Sequence, residues 1–189
     1  MAQSPLIVLL LLAALPLLAR ADDRANAFGM TVDGLMTDTE RPAGDRAEKH
    51  GARFGLEFSH TIWPRFDVFA AAGVHRLRLE NAGTATDLNF IDWRVGARQY
   101  FVARSIQAWS PFIDAAVGEG RMRETDSTVG GNRRYAGWNA SVGVAKLVSD
   151  NADLRLGIGY QRWRTDVKKN DHTDELTSAD FRLAVMVRY

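Results

Sequence analysis

Eight charged residues stand inside otherwise apolar stretches: Glu57, Asp92, Arg94, Arg98, Asp114, Arg155, Asp180 and Arg182. Carboxylates held beside guanidiniums alter each other's protonation, which is one way to build a general acid or base. The same residues can instead form a buried salt-bridge network, because charges must be paired wherever water is scarce. The network is the expectation here, with a structural role and no catalytic residue among the eight. The basic residues are suited to it. Of the 24, only Lys49, Lys146, Lys168 and Lys169 are lysine, and the planar fork of arginine binds carboxylates bidentately.

The other reactive side chains suggest little chemistry. The histidines are His50, His60, His75 and His172. None of them pairs at metal-ligand spacing and the cysteine count is 0, so no metal site and no cofactor are expected. His75 could act as a base near one rim of a fold, but no serine stands beside it on its own segment. A structural or solvent-facing role is expected for all four. Gly118-Glu119-Gly120 and Gly130-Gly131 lack the strand-to-helix setting of a phosphate loop. Lys168-Lys169-Asn170-Asp171-His172 reads as solvated surface that could touch lipopolysaccharide phosphates.

The elements that carry the charges repeat with a period of two, the mark of strands whose faces see different surroundings. Alternating segments run from about Asn26 to Met36, Ala52 to Thr61, Phe66 to Leu79, Leu88 to Val102, Ala108 to Arg123, Tyr135 to Leu147 and Asp153 to Thr165, and then through the closing stretch Phe181 to Tyr189. In the fourth, Ile91, Trp93, Val95, Ala97 and Phe101 oppose Asp92, Arg94, Gly96, Arg98 and Tyr100. In the seventh, Leu154, Leu156, Ile158 and Tyr160 oppose Arg155, Gly157, Gly159 and Gln161. The third has the weakest contrast, with Val68 to Val74 set outward. Connections alternate in length. Thr37 to Gly51, Glu80 to Asp87, Glu124 to Arg134 and Asp166 to Glu175 are long and polar; Ile62 to Arg65, Ala103 to Gln107 and Val148 to Ala152 are shorter.

The start of the chain predicts export. Leu6 to Leu18 is almost wholly apolar, Ala19-Arg20-Ala21 is a small-x-small cleavage site, and residues 1–21 read as a signal peptide. The run is too short for a good membrane-spanning helix. Residues 22–189 then form one domain. Removing Arg20 from the 24 basic residues leaves as many as the 23 acidic ones, and a net charge near zero excludes a case for nucleic acid. An exported chain without cysteine needs stability from something other than disulfides, and a closed ladder of hydrogen bonds would supply it.

These features predict an all-β fold, an eight-stranded antiparallel up-and-down transmembrane β-barrel. Short turns on one side and long loops on the other fit that class. A soluble lipocalin-like barrel, which would turn its apolar face inward around a ligand, is the alternative architecture. Two signs favour the membrane. The polar face mixes charges of both signs with glycine, as a narrow packed lumen requires. Trp93, Trp109, Tyr135, Trp138, Tyr160 and Tyr189 lie toward segment ends, where aromatic girdles belong.

Ser110-Pro111-Phe112-Ile113-Asp114-Ala115-Ala116-Val117-Gly118 and the final Phe181 to Tyr189 resemble the small outer-membrane barrels of OmpA and OmpX type. The Pro-Phe-Ile-acid-Ala-x-x-Gly string and its spacing to the end are also similar to outer-membrane lipid A 3-O-deacylases. That resemblance implies an eight-stranded barrel with a Ser-His-Glu site near the outer rim and a His-x-Ser pair on the seventh strand. Here Gly159 and Gln161 occupy those two positions, so neither base nor nucleophile carries over. By resemblance, Phe181 and the terminal aromatic Tyr189 form the signal read by the barrel assembly machinery.

The functional expectation is a non-enzymatic barrel of the outer membrane in a Gram-negative envelope. Its role would be structural, or surface interaction through its extracellular loops. The expected partners are outer-membrane lipid, lipopolysaccharide and the barrel assembly machinery, with the chain a monomer. The alternatives are a lipid A-modifying acyl hydrolase and a soluble periplasmic binding barrel.

Overall fold

The computed structural model describes residues 25–40, 46–81, 84–124, 133–165 and 175–189. The expected signal segment 1–21, Gly130-Gly131 and the stretch from Lys168 to His172 lie outside them. Eight strands follow in order: β1 (Asn26–Glu40), β2 (Arg46–Trp63), β3 (Phe66–Asn81), β4 (Thr84–Tyr100), β5 (Ser110–Glu124), β6 (Arg133–Ser149), β7 (Ala152–Thr165) and β8 (Glu175–Arg188). Each pairs antiparallel with its chain neighbours, and β1 pairs with β8, so the sheet closes into a barrel. Closure satisfies the backbone groups that an open edge would leave bare. At the seam the Asn26 amide donates to the Tyr189 carbonyl at 3.3 Å and the Tyr189 amide to that of Asn26 at 3.0 Å.

The two faces of the wall are chemically opposite. Met30, Phe54, Ile91, Val117, Ile158 and Phe181 point outward, each at least half exposed. Arg53, Glu57, Asp92, Arg98, Asp114 and Arg155 point inward and are buried. A soluble barrel would have the reverse arrangement. Among the described residues no helix is long and apolar enough to cross a membrane; the wall itself carries the apolar surface. On β3, Phe69 and His75 face inward and Val74 outward.

The strands run further than the alternation suggests. Asp38 pairs with Glu48 and Glu40 with Arg46, inside the stretch expected to be a loop from Thr37 to Gly51. Likewise β3 reaches Asn81, β4 starts at Thr84, and β8 starts at Glu175, ahead of Phe181. A ladder needs only backbone groups, so it continues past the apolar belt into segments with no apolar face. At the other end, β4 stops at Tyr100 and residues 101–109 make the turn into β5.

Inside, small residues make room for large ones. A Cβ on Gly73 would lie 2.5 Å from Arg53 Cζ, and one on Gly120 would lie 2.2 Å from Phe90 Cζ. The guanidinium and the ring therefore lie directly on bare backbone, a close approach that only glycine permits.

Candidate functional site

The inward faces build a charged column closed at both ends. At the turn end, Arg104 leaves the 101–109 segment and enters the barrel. Its Nη1 donates to Asp67 Oδ2 at 2.8 Å and its Nη2 to Thr61 Oγ1 at 2.9 Å. The Tyr100 hydroxyl donates to the same Asp67 oxygen at 3.2 Å. His60, expected near this turn, is buried with Nδ1 3.0 Å from Asn26 Oδ1.

The next level centres on Glu57. Arg98 donates from Nη1 and Nη2 to its two oxygens at 2.8 and 3.2 Å, and from Nε and Nη2 to Asp114 Oδ2 at 3.1 and 3.0 Å. Arg155 donates to Glu57 Oε1 at 2.6 Å and to Asp153 Oδ2 at 3.1 Å. Ser141 completes Asp114 with a 2.6 Å hydrogen bond to Oδ1.

Further along, Arg53 donates from Nε and Nη2 to Asp92 Oδ1 at 3.1 and 3.0 Å, and from Nη1 to Asp33 Oδ2 at 3.1 Å. Arg94 Nε lies 3.2 Å from Asp92 Oδ2, and Arg182 Nε donates to Asp33 Oδ1 at 3.3 Å. Asp180 stands apart: among the described residues its nearest cation is Arg182 Nη2 at 4.0 Å, and neither carboxylate oxygen has a hydrogen-bond partner.

An apolar lid covers this level. Leu35, Phe90, Met122, Tyr135, Trp163 and Leu176 form one buried cluster. The Phe90 ring stands edge-on to Trp163 at 5.1 Å and to Tyr135 at 5.7 Å. Tyr135 is therefore a plug residue, 4% exposed, and not part of an outer girdle. Its position two residues before Gly137 puts it on the inward face, which the girdle assignment overlooked.

All eight charged residues named from the sequence lie inside the barrel. Glu57, Arg98, Asp114 and Arg155 share one level; Asp92, Arg94 and Arg182 lie beyond it, and Asp180 is at its margin. Sequence reasoning missed Arg53, Asp33, Asp67, Asp153 and Arg104. Arg53 shares the β2 face of Glu57, a visible signal; Arg104 lies in a turn, where alternation says nothing. Phe181 and Tyr189 both face outward and are exposed.

As a catalytic centre the column offers, among the described residues, one histidine–carboxylate pair. His75 Nε2 lies 3.3 Å from Asp92 Oδ2, with the His75 ring edge-on to Phe90 at 5.0 Å. The pair is buried beneath the lid, away from solvent. Ser141 gives its proton to Asp114 and not to a histidine. His50 is placed on β2 opposite Met36. Gly159 and Gln161 both lie on the inward face of β7, and Gln161 Oε1 accepts from Trp163 Nε1 at 3.2 Å. A His-x-Ser pair at these two positions would point into the packed lumen, walled off from any lipid outside. Among the described residues, no group of three or more His, Asp or Glu side chains could hold a metal ion.

No protein-family model matches the chain, and no curated protein matches it in sequence. Solved structures do match. Neisserial surface protein A aligns over 86% of this chain and 99% of its own, with a TM-score of 0.56 and 18% identity. Ail, the attachment invasion locus protein of Yersinia pestis, solved in complex with the heparin analogue sucrose octasulfate, covers 87% and 99%, with a TM-score of 0.51 and 13% identity. The outer membrane enzyme PagL covers 82% and 97%, with a TM-score of 0.51 and 14% identity. At these identities the likeness is one of fold. The chain has the fold of the small eight-stranded outer-membrane barrels, which hosts an attachment protein and an enzyme alike.

Proposed function

We propose that this chain is a non-enzymatic barrel of the bacterial outer membrane, exported through a cleaved signal peptide, with a structural or surface-interaction role. The observation that carries the reading is the inverted polarity of the wall, with large apolar side chains outward on every strand and paired charges inside. Only a surrounding of lipid makes that polarity favourable. The column supports a non-enzymatic role. Its charges neutralise one another across the lumen, and caps at both ends keep them from solvent. Function is thereby left to the outer wall and to the connections between strands at the end away from the turns.

Fractionation of expressing cells, followed by electrophoresis of unheated and boiled outer membranes, tests this. The expected result is a band in the outer-membrane fraction whose mobility changes on boiling. Recovery in the soluble periplasm would overturn the membrane assignment. Mass spectrometry of lipid A from the same cells should be unchanged by expression; loss of an acyl chain would overturn the non-enzymatic part.

A further inference from the structure

The outer wall is not uniform. A depression of about 770 Å³ opens on the faces of β6, β7, β8 and β1, within the roughly 300–1,000 Å³ range of pockets that take small ligands. Small residues make its floor: Ala140, Ala179 and Gly34. Tyr160, Phe181 and Met36 wall it. A Cβ on Gly34 would meet nothing within 4 Å, so the space beside it is open.

The ladder fixes what lies beyond this groove. Ala140, Tyr160, Ala179 and Met36 are consecutive partners across four strands. Two residues further toward the end away from the turns, about 7 Å along each strand, the row reads Trp138, Arg162 and Thr177. The next reads Ala136, Arg164 and Glu175, and beyond it Arg121 pairs with Arg134. Arg121, Arg134 and Arg164 are exposed. Arg162 and Arg164 share one carboxylate, with Nη2 and Nε respectively 2.8 and 2.9 Å from Glu175 Oε2, so that trio is net positive. Trp138 and Tyr160 meet at 5.7 Å on the boundary between the apolar and the cationic zones.

From the middle of the wall to this rim, the surface therefore runs from apolar groove to aromatic pair to arginine cluster. That order matches an amphiphile with acyl chains below and anionic groups above. We infer that this face of the barrel is a docking site for one molecule of lipopolysaccharide. An acyl chain of the lipid would lie in the groove over Gly34 and Ala179, and its phosphates would rest on Arg134, Arg162 and Arg164. The source follows from the rim. With the short turns on the periplasmic side, as in outer-membrane barrels, the arginines stand at the outer leaflet, where the phosphorylated, multiply acylated glycolipid is. The inference rests on the outer-membrane reading above.

Native mass spectrometry of the detergent-purified barrel incubated with lipopolysaccharide tests it, with phosphatidylglycerol as a second probe. Two variants remove the two halves of the site separately: Gly34→Leu fills the groove, and the pair Arg134→Gln with Arg164→Gln weakens the cluster. The wild type should retain lipopolysaccharide, and each variant roughly tenfold less. Boiling-dependent mobility should be unchanged in both variants, which separates loss of the site from loss of the barrel. If Gly34→Leu fails that control, the arginine variant decides alone. Equal retention by the wild type and the folded variants, or equal retention of phosphatidylglycerol, would overturn the inference while leaving the membrane assignment intact.

Discussion

Arg155 on β7 reaches across the barrel to Glu57 on β2, with Nη1 2.6 Å from Oε1, although these strands share no ladder. Arg98 on β4 takes both oxygens of the same carboxylate from another side. One buried carboxylate thus ties three strands that are not neighbours in the sheet. Removing its charge would leave Arg98 with Asp114 alone and Arg155 with Asp153 alone, one anion short in a dry interior. Glu57→Gln is expected to cost about 3–5 kcal/mol, the usual penalty for breaking a buried pair from one side. Glu119→Gln, on the exposed face of β5, should stay within about 0.5 kcal/mol. Urea unfolding in lipid vesicles, followed by the boiling-sensitive band, measures both; equal midpoints would show that the column contributes no specific stability.

Two inward aspartates offer an internal comparison. Asp114 receives Arg98 twice and Ser141 once, all within hydrogen-bond distance. Among the described residues Asp180 has no hydrogen-bond partner, and its nearest cation is 4.0 Å away. Asp114→Asn should therefore destabilise the barrel by roughly 1.5–3 kcal/mol for the lost charged hydrogen bonds, and Asp180→Asn by clearly less. The reverse order in the same unfolding assay would mean that Asp180 carries charge interactions its surroundings do not reveal.

The glycines divide by face. Phe90 lies across Gly120, so Gly120→Val must push against a ring and is expected to cost about 1–3 kcal/mol. Gly34 faces open space, and Gly34→Val should be neutral or stabilising, since a β-branched residue suits a strand better than glycine. Comparable losses in both variants would contradict the packing described for the lumen.

Much of this was legible from residue order. A period of two exposes a wall with unlike faces, so the strands and the inward set around Glu57, Arg98 and Asp114 could be read directly. The outer strand ends could not, because Thr37 to Glu40 and Arg46 to His50 pair through backbone groups and carry no apolar face. The lid escaped for the opposite reason. Phe90, Tyr135 and Trp163 are apolar yet point inward, against the rule that assigns apolar residues to the lipid. Arg104 escaped because a turn has no period. The cross-barrel choice of partners, Arg155 with Glu57 or Arg53 with Asp92, depends on barrel stagger, which alternation along single strands does not contain.

At the arginine-rich rim, beyond the apolar belt, acid should loosen one contact. Hydrogen bonding from Arg162, partly opposed by burial and reinforced by Arg164, holds the Glu175 carboxyl below its ordinary 4.5. A folded value lowered in this way gives stability that is complete above the unfolded value and fades as pH falls through the folded one. The wild type should thus lose a small increment of stability below about pH 4.5 that Glu175→Gln does not lose. Unfolding midpoints at pH 7 and pH 3 give the comparison, and an equal acid response in both proteins would remove Glu175 as its source.

The polarity of the wall makes the sharpest demand on β8. Leu183 lies on its outward face near the middle of the strand, whereas Thr177 lies on the same face near the arginine rim. In lipid, a guanidinium at the midplane must be desolvated or must thin the bilayer, while one near the interface reaches headgroups. Leu183→Arg is therefore expected to cost about 2–4 kcal/mol and Thr177→Arg about 0–1 kcal/mol. In a water-surrounded barrel both positions would face solvent, and both arginines would be nearly free of cost. Folding yields and urea midpoints of the two variants in vesicles decide between these cases. A tolerated Leu183→Arg would mean that this face does not meet hydrocarbon, whatever the fold resembles.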